Sequence, residues 1–292
     1  MKFTTFLQDN QARLGVVDGT DLIDLNLAFP EVPADLRRAL VAGVDLIAAA
    51  QAALASSAPR RPLSKLKLAP LVPEPGKTIC LGLNYFDHAK EGRREKPDYP
   101  WFFFRGATSL MAHGDAGRVP KVSSKFDYEA ELAVVIGRRV PRHTTQADAL
   151  AYVFGYSCFN DMSVRDYQKR TPQWTIGKNF DATGGFGPLL VTADELPPGA
   201  MGLTIEGRLN GVVMQRANTS EMIFGVAETI ALLAEVLTLE PGDVIAMGTP
   251  AGVGQARTPP VWMKAGDVFE VEIEGVGRLV NPIADEAVVA PA

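Results

Sequence analysis

Three acidic residues are the side chains best suited to hold a metal ion. Glu129 and Glu131 stand two residues apart at the start of the apolar run 132–136. Because side chains alternate faces along a strand, the two carboxylates share one face, about 7 Å apart, and Leu132 starts the other face. Carboxylates beside so apolar a run are costly unless a cation neutralises them, so the pair indicates a hard-cation site. A solvent-facing pair on an edge strand would show the same pattern.

A third carboxylate, that of Asp161, ends the apolar run 153–159. The interval between Glu131 and Asp161 leaves room for one connecting helix and a return strand. Three acids on adjacent strands would form an all-oxygen site, which suits Mg²⁺ or Mn²⁺, with Ca²⁺ also compatible, better than Zn²⁺. Asp161 could instead cap the segment that begins at Met162.

The segment around His88 offers a general base. If residues 82–91 are helical, His88 and Glu91 form an i, i+3 pair on one face. A carboxylate beside an imidazole orients it and raises its basicity, which suits a base that acts on water. On the residues alone, a surface histidine with an incidental salt bridge is the preferred interpretation.

Two further segments carry groups that could bind an anion. Arg165, Gln168 and Lys178 could hold a carboxylate or an enolate, although an ordinary surface face would look the same. The glycine-rich turns 183–187 and 248–254 lack the Gly-Lys-Ser/Thr ending of a P-loop and open no Rossmann unit. The sequence therefore predicts no nucleotide site in either turn.

Composition bounds the class of protein. The 292 residues are 47% hydrophobic and 22% charged, as in a globular chain. Lys plus Arg number 29 and Asp plus Glu number 34, a net charge of −5, which lacks the basic surface that nucleic acids require. No run approaches the roughly 20 apolar residues that span a bilayer. We expect a cytoplasmic protein in which Cys80 and Cys158 are buried free thiols.

The elements that must position these groups are mostly strands. Apolar runs bounded by Gly, Pro, Asp and Asn predict strands, and only two clear helices, near 145–151 and 220–237, interrupt them. This pattern predicts a β-rich α+β fold rather than alternating β and α units. In the first segment, Asp18-Gly19 indicates a hairpin, and the helical spacing over 34–54 indicates one or two helices with a break at Gly43.

A proline-rich connector between residues 56 and 76 marks a boundary in the chain. It predicts a small N-terminal α+β domain, residues 1–70, that packs on a larger domain, residues 71–292.

Five segments in one order resemble the fumarylacetoacetate hydrolase family, over roughly residues 76 to 285. They are Gly82-Leu83-Asn84-Tyr85 with His88, Phe126-Asp127-Tyr128-Glu129-Ala130-Glu131-Leu132, Asn160-Asp161-Met162-Ser163-Val164-Arg165-Asp166, Gly177-Lys178-Asn179-Phe180-Asp181 and Gly248-Thr249-Pro250-Ala251-Gly252-Val253-Gly254. Several blocks in family order are far more specific than any single motif.

The resemblance implies a mixed β-roll, usually dimeric, preceded by a small variable domain. It assigns metal ligation to two glutamates and an aspartate, water activation to a His–Glu pair on a mobile lid of the acylpyruvase-like branch, and substrate contacts to four positions. In this sequence the metal ligands fall on Glu129, Glu131 and Asp161. The His–Glu pair falls on His88 and Glu91. The substrate contacts fall on Arg165, Gln168, Lys178 and Thr249.

One departure concerns the segment before the metal strand. Many members carry a lysine in an F-x-K-P stretch, whereas this chain has Phe103-Phe104-Arg105-Gly106. Arg105 keeps the positive charge but changes the geometry, so we expect it to influence which substrate is bound.

The implied reaction is hydrolysis of a C–C bond in a small 2,4-dioxo acid, such as an acylpyruvate or fumarylpyruvate of aromatic catabolism. His88, oriented by Glu91, would activate water, and Lys178 with the metal would stabilise the enolate. The charged stretch 90–100, with Arg93 and Arg94, would close over the site. An oxaloacetate-type decarboxylase, a 2-hydroxymuconate-type isomerase and a metal-binding protein without catalysis remain alternatives.

Overall fold

The computed structural model describes residues 1–92 and 95–287 of the chain, and it is rich in strands. The strands are β1 Lys2–Gln8, β2 Gln11–Asp18, β3 Asp21–Asp24, β4 Arg60–Pro62, β5 Thr78–Gly82, β6 Trp101–Arg105, β7 Leu110–Met111, β8 Gly117–Val119, β9 Phe126–Asp127, β10 Ala130–Ile136, β11 Val153–Asp161, β12 Ser163–Val164, β13 Gly184–Thr192, β14 Thr204–Leu209, β15 Val212–Asn218, β16 Val244–Ala246, β17 Val268–Ile273 and β18 Gly277–Asp285. The predicted β-rich fold is confirmed.

The helices of the described residues are short. They are α1 Leu25–Ala28, α2 Leu36–Val41, α3 Leu46–Ala55, α4 Phe86–Glu91, α5 Gln146–Ala149, α6 Arg165–Gln168, α7 Thr175–Lys178 and α8 Val226–Val236. Within these ranges, no helix is long and apolar enough to cross a membrane. Helices α1 and α6 directly follow the strands β3 and β12.

A large mixed sheet carries the site. Its order is β4-β3-β2-β1-β13-β11-β10-β16-β5-β6, with β7 paired to β13. Neighbours along it are mainly antiparallel, but β16 pairs with β5 in parallel. A second sheet, β15-β14-β17-β18-β8, packs against it, and β9 pairs with β12 at the edge of the site.

Strand β10 is buried on both faces, which explains its unbroken apolar composition. Leu132 and Val134 belong to the core shared with the second sheet, together with residues such as Phe269. Ala133 and Val135 belong to the core on the opposite face. The predicted alternation, with Glu131 on the face opposite Leu132, is therefore confirmed.

The N-terminal segment extends the large sheet, because β1 pairs with β13 through Phe3 and Leu190. The Asp18-Gly19 turn joins β2 to β3 as predicted, and Gly43, with a φ of +71°, separates α2 from α3. Both helices pack in a core that also contains Val135 of β10. The predicted packing of this segment on the rest is thus present, and the division at residue 70 stays a prediction.

The helix predicted near 220–237 was placed too early. The Asn218 side chain accepts a hydrogen bond from the backbone of Ser220 and caps a single 3₁₀ turn, Thr219–Glu221. The α-helix begins only at Val226, after Gly225. The local polar cap competes with a helix here, as Asn and Ser side chains commonly do.

Candidate metal and proton-transfer site

The predicted acidic triad is assembled by two adjacent strands. Glu129 precedes β10, Glu131 lies in it, and Asp161 ends β11, which pairs with β10 in antiparallel register. The backbone N–H of Asp161 donates to the carbonyl oxygen of Glu129 at 2.9 Å. Ligand oxygens of the three carboxylates lie within 4.8 Å of one another, and all three side chains are buried. This is a metal-binding arrangement, and the alternative of a solvent-facing pair is wrong.

Two buried cations neutralise Asp161. Arg105 Nε donates to Asp161 Oδ1 at 2.5 Å, and Lys178 Nζ donates to Asp161 Oδ2 at 2.5 Å. Lys178 Nζ also donates to Glu129 Oε2 at 2.7 Å, so one ammonium joins two members of the triad. Because its carboxylate is engaged by Arg105 and Lys178, the alternative that Asp161 merely caps the next segment is not needed.

Arg105 uses its remaining donors on the protein as well. Its Nη2 donates to the carbonyl oxygens of Met162 at 2.7 Å and Thr183 at 3.0 Å. The role that the structure shows for Arg105 is to support a carboxylate of the triad, and it does not line the cavity described below. Its contact with substrate stays a prediction.

Arg165 binds the second side of Glu129. Its Nη1 lies 2.6 Å from Glu129 Oε1, and its Nε donates to Asp127 Oδ2 at 2.7 Å. Gln168 Oε1 accepts from the same Nη1 at 3.0 Å. Burial lowers the pKa of Arg165, but the charges of Asp127 and Glu129 outweigh it and raise that pKa above its ordinary value.

Asp127 is a member of this buried network that sequence reasoning did not single out. Besides Arg165, it accepts backbone N–H groups of Gly254 at 2.7 Å and Gln255 at 3.0 Å. The missed signal is the spacing, since Asp127, Glu129 and Glu131 alternate at i, i+2 and i+4, as one face of a strand would.

Glu131 differs from the other two members of the triad. Its Oε2 accepts the backbone N–H of Gly248 at 2.9 Å, and its Oε1 is buried without a partner among the described residues. Burial, followed by the charges of Asp161 and Glu129, raises the pKa of Glu131 well above its ordinary value. Burial also raises the pKa of Glu129, but Lys178 and then Arg165 outweigh this effect and lower it to about 2.

The charge balance fits a divalent cation. Four buried carboxylates face three buried cations, so one negative charge remains uncompensated. The groups are Asp127, Glu129, Glu131 and Asp161 against Arg105, Arg165 and Lys178. The unpartnered oxygen of Glu131 marks where the compensation is lacking, and a hard dication with oxygen ligands would supply it. The residues present therefore fit Mg²⁺ or Mn²⁺.

The predicted His–Glu pair forms on α4. His88 Nδ1 lies 3.2 Å from Glu91 Oε2, and His88 is buried. His88, Glu91 and Glu129 line one cavity, which is described below, so the pair faces this member of the triad. This burial contradicts the interpretation of His88 as a surface histidine.

One loop, residues 248–254, supports both halves of the site. Gly248 binds Glu131, as described, and the backbone N–H of Gly252 donates to Glu91 Oε1 at 2.9 Å. The hydroxyl of Thr249 donates to the carbonyl oxygen of Ala130 at 3.0 Å. Gly252 has a φ of +103°, and a Cβ there would lie 2.1 Å from the carbonyl oxygen of Met214, so glycine is required.

A cavity of about 710 Å³ joins these groups. His88, Glu91, Glu129, Lys178 and Thr249 line it, so the His88–Glu91 pair and one member of the triad, Glu129, border the same space. The remaining predicted substrate-binding residues that line it are Arg165 and Gln168.

One wall of the cavity is aromatic, which sequence reasoning did not predict. The rings of Trp101 and Trp174 stack with centroids 5.2 Å apart, and Phe103 meets Trp174 edge-on at 6.0 Å. Gly82 lies against Trp174 so closely that a Cβ would come within 1.9 Å of the indole. The glycine that ends β5 therefore makes room for this wall.

Part of the predicted lid lies outside the described residues. Arg93 and Arg94 fall in that gap, and Glu91 and Gly92 stand immediately before it. Closure of the stretch 90–100 over the site stays a prediction.

Comparison with known proteins places this geometry in a family. Residues 77–284 match the fumarylacetoacetate (FAA) hydrolase C-terminal model. The chain belongs to the fumarylacetoacetate hydrolase family. The resemblance found in the sequence is confirmed, and with it the expectation of an enzyme family.

Relatives and solved structures agree with the fold and differ in reaction. The chain is 40% identical over 272 residues to oxaloacetate tautomerase fahd2, mitochondrial, of Xenopus laevis, covering 92% of this chain and 85% of the relative. It is similar to fumarylacetoacetate hydrolase from Exiguobacterium antarcticum (36% identity, TM-score 0.84, 98% of this chain and 100% of that one). It is also similar to maleylpyruvate hydrolase from Sphingobium sp. SYK-6 in complex with manganese(II) and pyruvate (30% identity, TM-score 0.83, with the same coverage).

Proposed function

We propose that this protein is a divalent-metal enzyme that interconverts the keto and enol forms of oxaloacetate-type 2-oxo dicarboxylic acids. The observation that carries the proposal is that Glu129 of the buried acid triad and the His88–Glu91 pair line one cavity. A relative that aligns over 92% of the chain is named an oxaloacetate tautomerase, which favours this reaction over the C–C hydrolysis expected from the sequence.

Glu129, Glu131 and Asp161 would hold Mg²⁺ or Mn²⁺. When bound, such an ion acts as a Lewis acid that polarises a keto oxygen and stabilises negative charge on it. Lys178 and Arg105 hold the carboxylate of Asp161 in place, and Lys178 with Arg165 does the same for Glu129. The ligand oxygens are thus held in place before a metal ion arrives.

His88 would move the proton. Tautomerisation transfers one proton from the carbon beside the keto group to the keto oxygen, and it needs neither water nor a leaving group. Glu91 contacts Nδ1 of His88, so Nε2 is the nitrogen available to exchange a proton with the substrate. The backbone N–H of Gly252 donates to the other carboxylate oxygen of Glu91, and this helps to fix the orientation of the imidazole.

C–C hydrolysis of a 2,4-dioxo acid is a second candidate. The same His88–Glu91 pair could activate a water molecule, and the similar structure of maleylpyruvate hydrolase holds manganese and pyruvate. A homodimeric assembly and a role in aromatic catabolism stay part of this proposal. The compartment also stays a prediction, since the Xenopus relative is named as mitochondrial.

The test is a substrate comparison with the full chain loaded with Mn²⁺. We expect the enol absorbance of freshly dissolved enol-oxaloacetate to decay faster with enzyme than without it, with no matching release of CO₂ or pyruvate. EDTA should remove the acceleration. Pyruvate release from acylpyruvates without acceleration of the enol decay would favour hydrolysis. Metal binding with neither activity would favour a protein that has lost catalysis.

A further inference from the structure

Two basic residues follow α6 on the wall of the cavity. Lys169 and Arg170 come directly after Gln168, and all three line the cavity together with His88. The carbonyl oxygen of Arg165 accepts the backbone N–H of Lys169 at 3.2 Å, which ends the short helix. The basic residues that line the cavity therefore include the buried Arg165 and the exposed Lys169 and Arg170.

The deeper cations are already engaged. Arg165 pairs with Asp127 and Glu129, and Lys178 pairs with Glu129 and Asp161, as described above. Binding a second substrate carboxylate through either one would break a buried ion pair, which is costly.

Lys169 and Arg170 have no carboxylate partner among residues 1–92 and 95–287. Arg170 is held in place by the ring of Tyr167, which its Cζ faces at 3.6 Å from the centroid. Partial burial, and then the charges of Arg165 and Lys125, lower the pKa of Lys169 below its ordinary value. An anion beside Lys169 would relieve this repulsion.

The aromatic wall of the cavity is an unfavourable place for a second substrate carboxylate. Trp174 and Phe103 offer apolar surface in the same cavity, and Lys178 Nζ already lies 5.2 Å from the ring of Phe103. A charged group placed there would lose hydration without gaining a partner. Of the described Lys and Arg side chains that line the cavity, Lys169 and Arg170 are therefore the two still able to bind an anion.

We propose that Lys169, assisted by Arg170, binds the second carboxylate of the substrate and makes the enzyme selective for dicarboxylic 2-oxo acids. This inference rests on the proposed function, because it assumes that the 2-oxo acid end lies at the triad. It goes further by naming the residues, directly after α6 on the cavity wall, that set selectivity. These residues are specificity determinants and not part of the proton-transfer machinery.

The test compares two probes in the Mn²⁺-loaded full chain by calorimetry. The probes are 3,3-difluoro-oxaloacetate, which has two carboxylates and no hydrogen to transfer, and its 4-ethyl ester, which lacks the second charge. We expect Lys169→Met to weaken binding of the diacid about tenfold, a typical value for one charge-assisted contact, and binding of the ester less than twofold. Lys169→Arg should restore most of the difference.

Lys125→Met is the matched control, because Lys125 is a neighbouring cation that does not line the cavity. It should change the affinity for both probes less than twofold. An equal loss for both probes in Lys169→Met would show long-range attraction of anions and overturn the subsite, as would an unchanged affinity for the diacid. If the unchanged protein bound neither probe, the proposed function and the subsite would both fail. Selective loss of diacid binding in a protein without tautomerase activity would refute the reaction and leave the subsite standing.

Discussion

The acidic triad and the His88–Glu91 pair lie on different elements, and they differ in how many contacts fix their side chains. Glu131 and Asp161 lie within strands and have no exposed surface, and the cations around the triad are themselves buried. His88 and Glu91 lie on a helix of six residues, and the hydrogen bonds described for their side chains are one between them and one from Gly252. The proposed metal site and the proposed proton carrier therefore have different side-chain partners, although both contact the loop 248–254, and single substitutions can test them separately.

A second contrast lies within the triad. Glu129 and Asp161 are neutralised by protein cations, whereas Glu131 receives a single backbone N–H. The protein supplies most of the charge compensation for two ligands and leaves the third for the metal ion. Glu131 is thus the residue at which the need for a metal is concentrated.

The largest effect is expected for Glu131→Gln. Loss of a metal ligand should exceed the 10- to 100-fold losses seen for outer partners, so we expect Mn²⁺ affinity to fall by more than about 100-fold and turnover to fall to the metal-free level. The metal-free protein should be at least as stable as the parent, because the fold no longer has to bury an uncompensated carboxylate or hold a proton on it. Calorimetric Mn²⁺ titration and thermal unfolding with EDTA measure the two quantities.

Asp161→Asn is the contrasting control for that prediction. It removes the carboxylate that pairs with the buried Arg105 and leaves Lys178 with Glu129 alone, so the metal-free protein should lose about 3–5 kcal/mol of unfolding free energy. Equal stability of the Glu131 and Asp161 variants would contradict the division of charge described here.

A smaller effect is expected for His88→Ala. Turnover should fall by about 10²- to 10⁴-fold, the usual contribution of a positioned acid–base group, because the proton carrier is removed. Mn²⁺ affinity should stay within about twofold of the parent, because none of the triad's hydrogen bonds involves His88. Steady-state kinetics and metal titration measure both, and a parallel loss of metal binding would refute the assignment.

The smallest effect concerns pH. The pKa of Glu131 is raised in the folded protein from an ordinary value of 4.5, so above that pH the metal-free fold retains a proton that the unfolded chain releases. Its stability should therefore fall as pH rises toward the folded pKa, while Mn²⁺ affinity rises by up to about tenfold per pH unit as the metal displaces that proton.

Thermal unfolding of the metal-free protein across this pH range checks the sign of the effect. The Glu131→Gln variant should show a flatter dependence. An identical slope in both proteins would assign the titration to another group.

The sequence was sufficient to predict features that depend on the alternation of side chains along a strand or on local turn residues. Alternation predicted that Glu129 and Glu131 share a face, and the end of an apolar run placed Asp161 beside them. The hairpin at Asp18-Gly19 and the break at Gly43 followed from turn chemistry in the same way.

Long-range contacts were harder to predict. No local pattern indicates that Arg105 meets Asp161 across 56 residues of chain, or that Trp174 lies against Gly82. The burial of His88 depends on the loop that binds Glu91, so the helical spacing alone favoured a surface residue. Such contacts follow from tertiary packing, which propensity and spacing do not encode.

The loop 248–254 couples the positions of Glu131 and Glu91, because its backbone binds both carboxylates. A backbone shift that moved Gly252 away from Glu91 of α4 would also move Gly248, and with it the hydrogen bond to Glu131 of β10. A new reaction on this fold is then most easily obtained by replacing side chains that line the cavity while the backbone of the loop stays unchanged. The reactions named for similar proteins (tautomerase, maleylpyruvate hydrolase) are consistent with diversification of that kind.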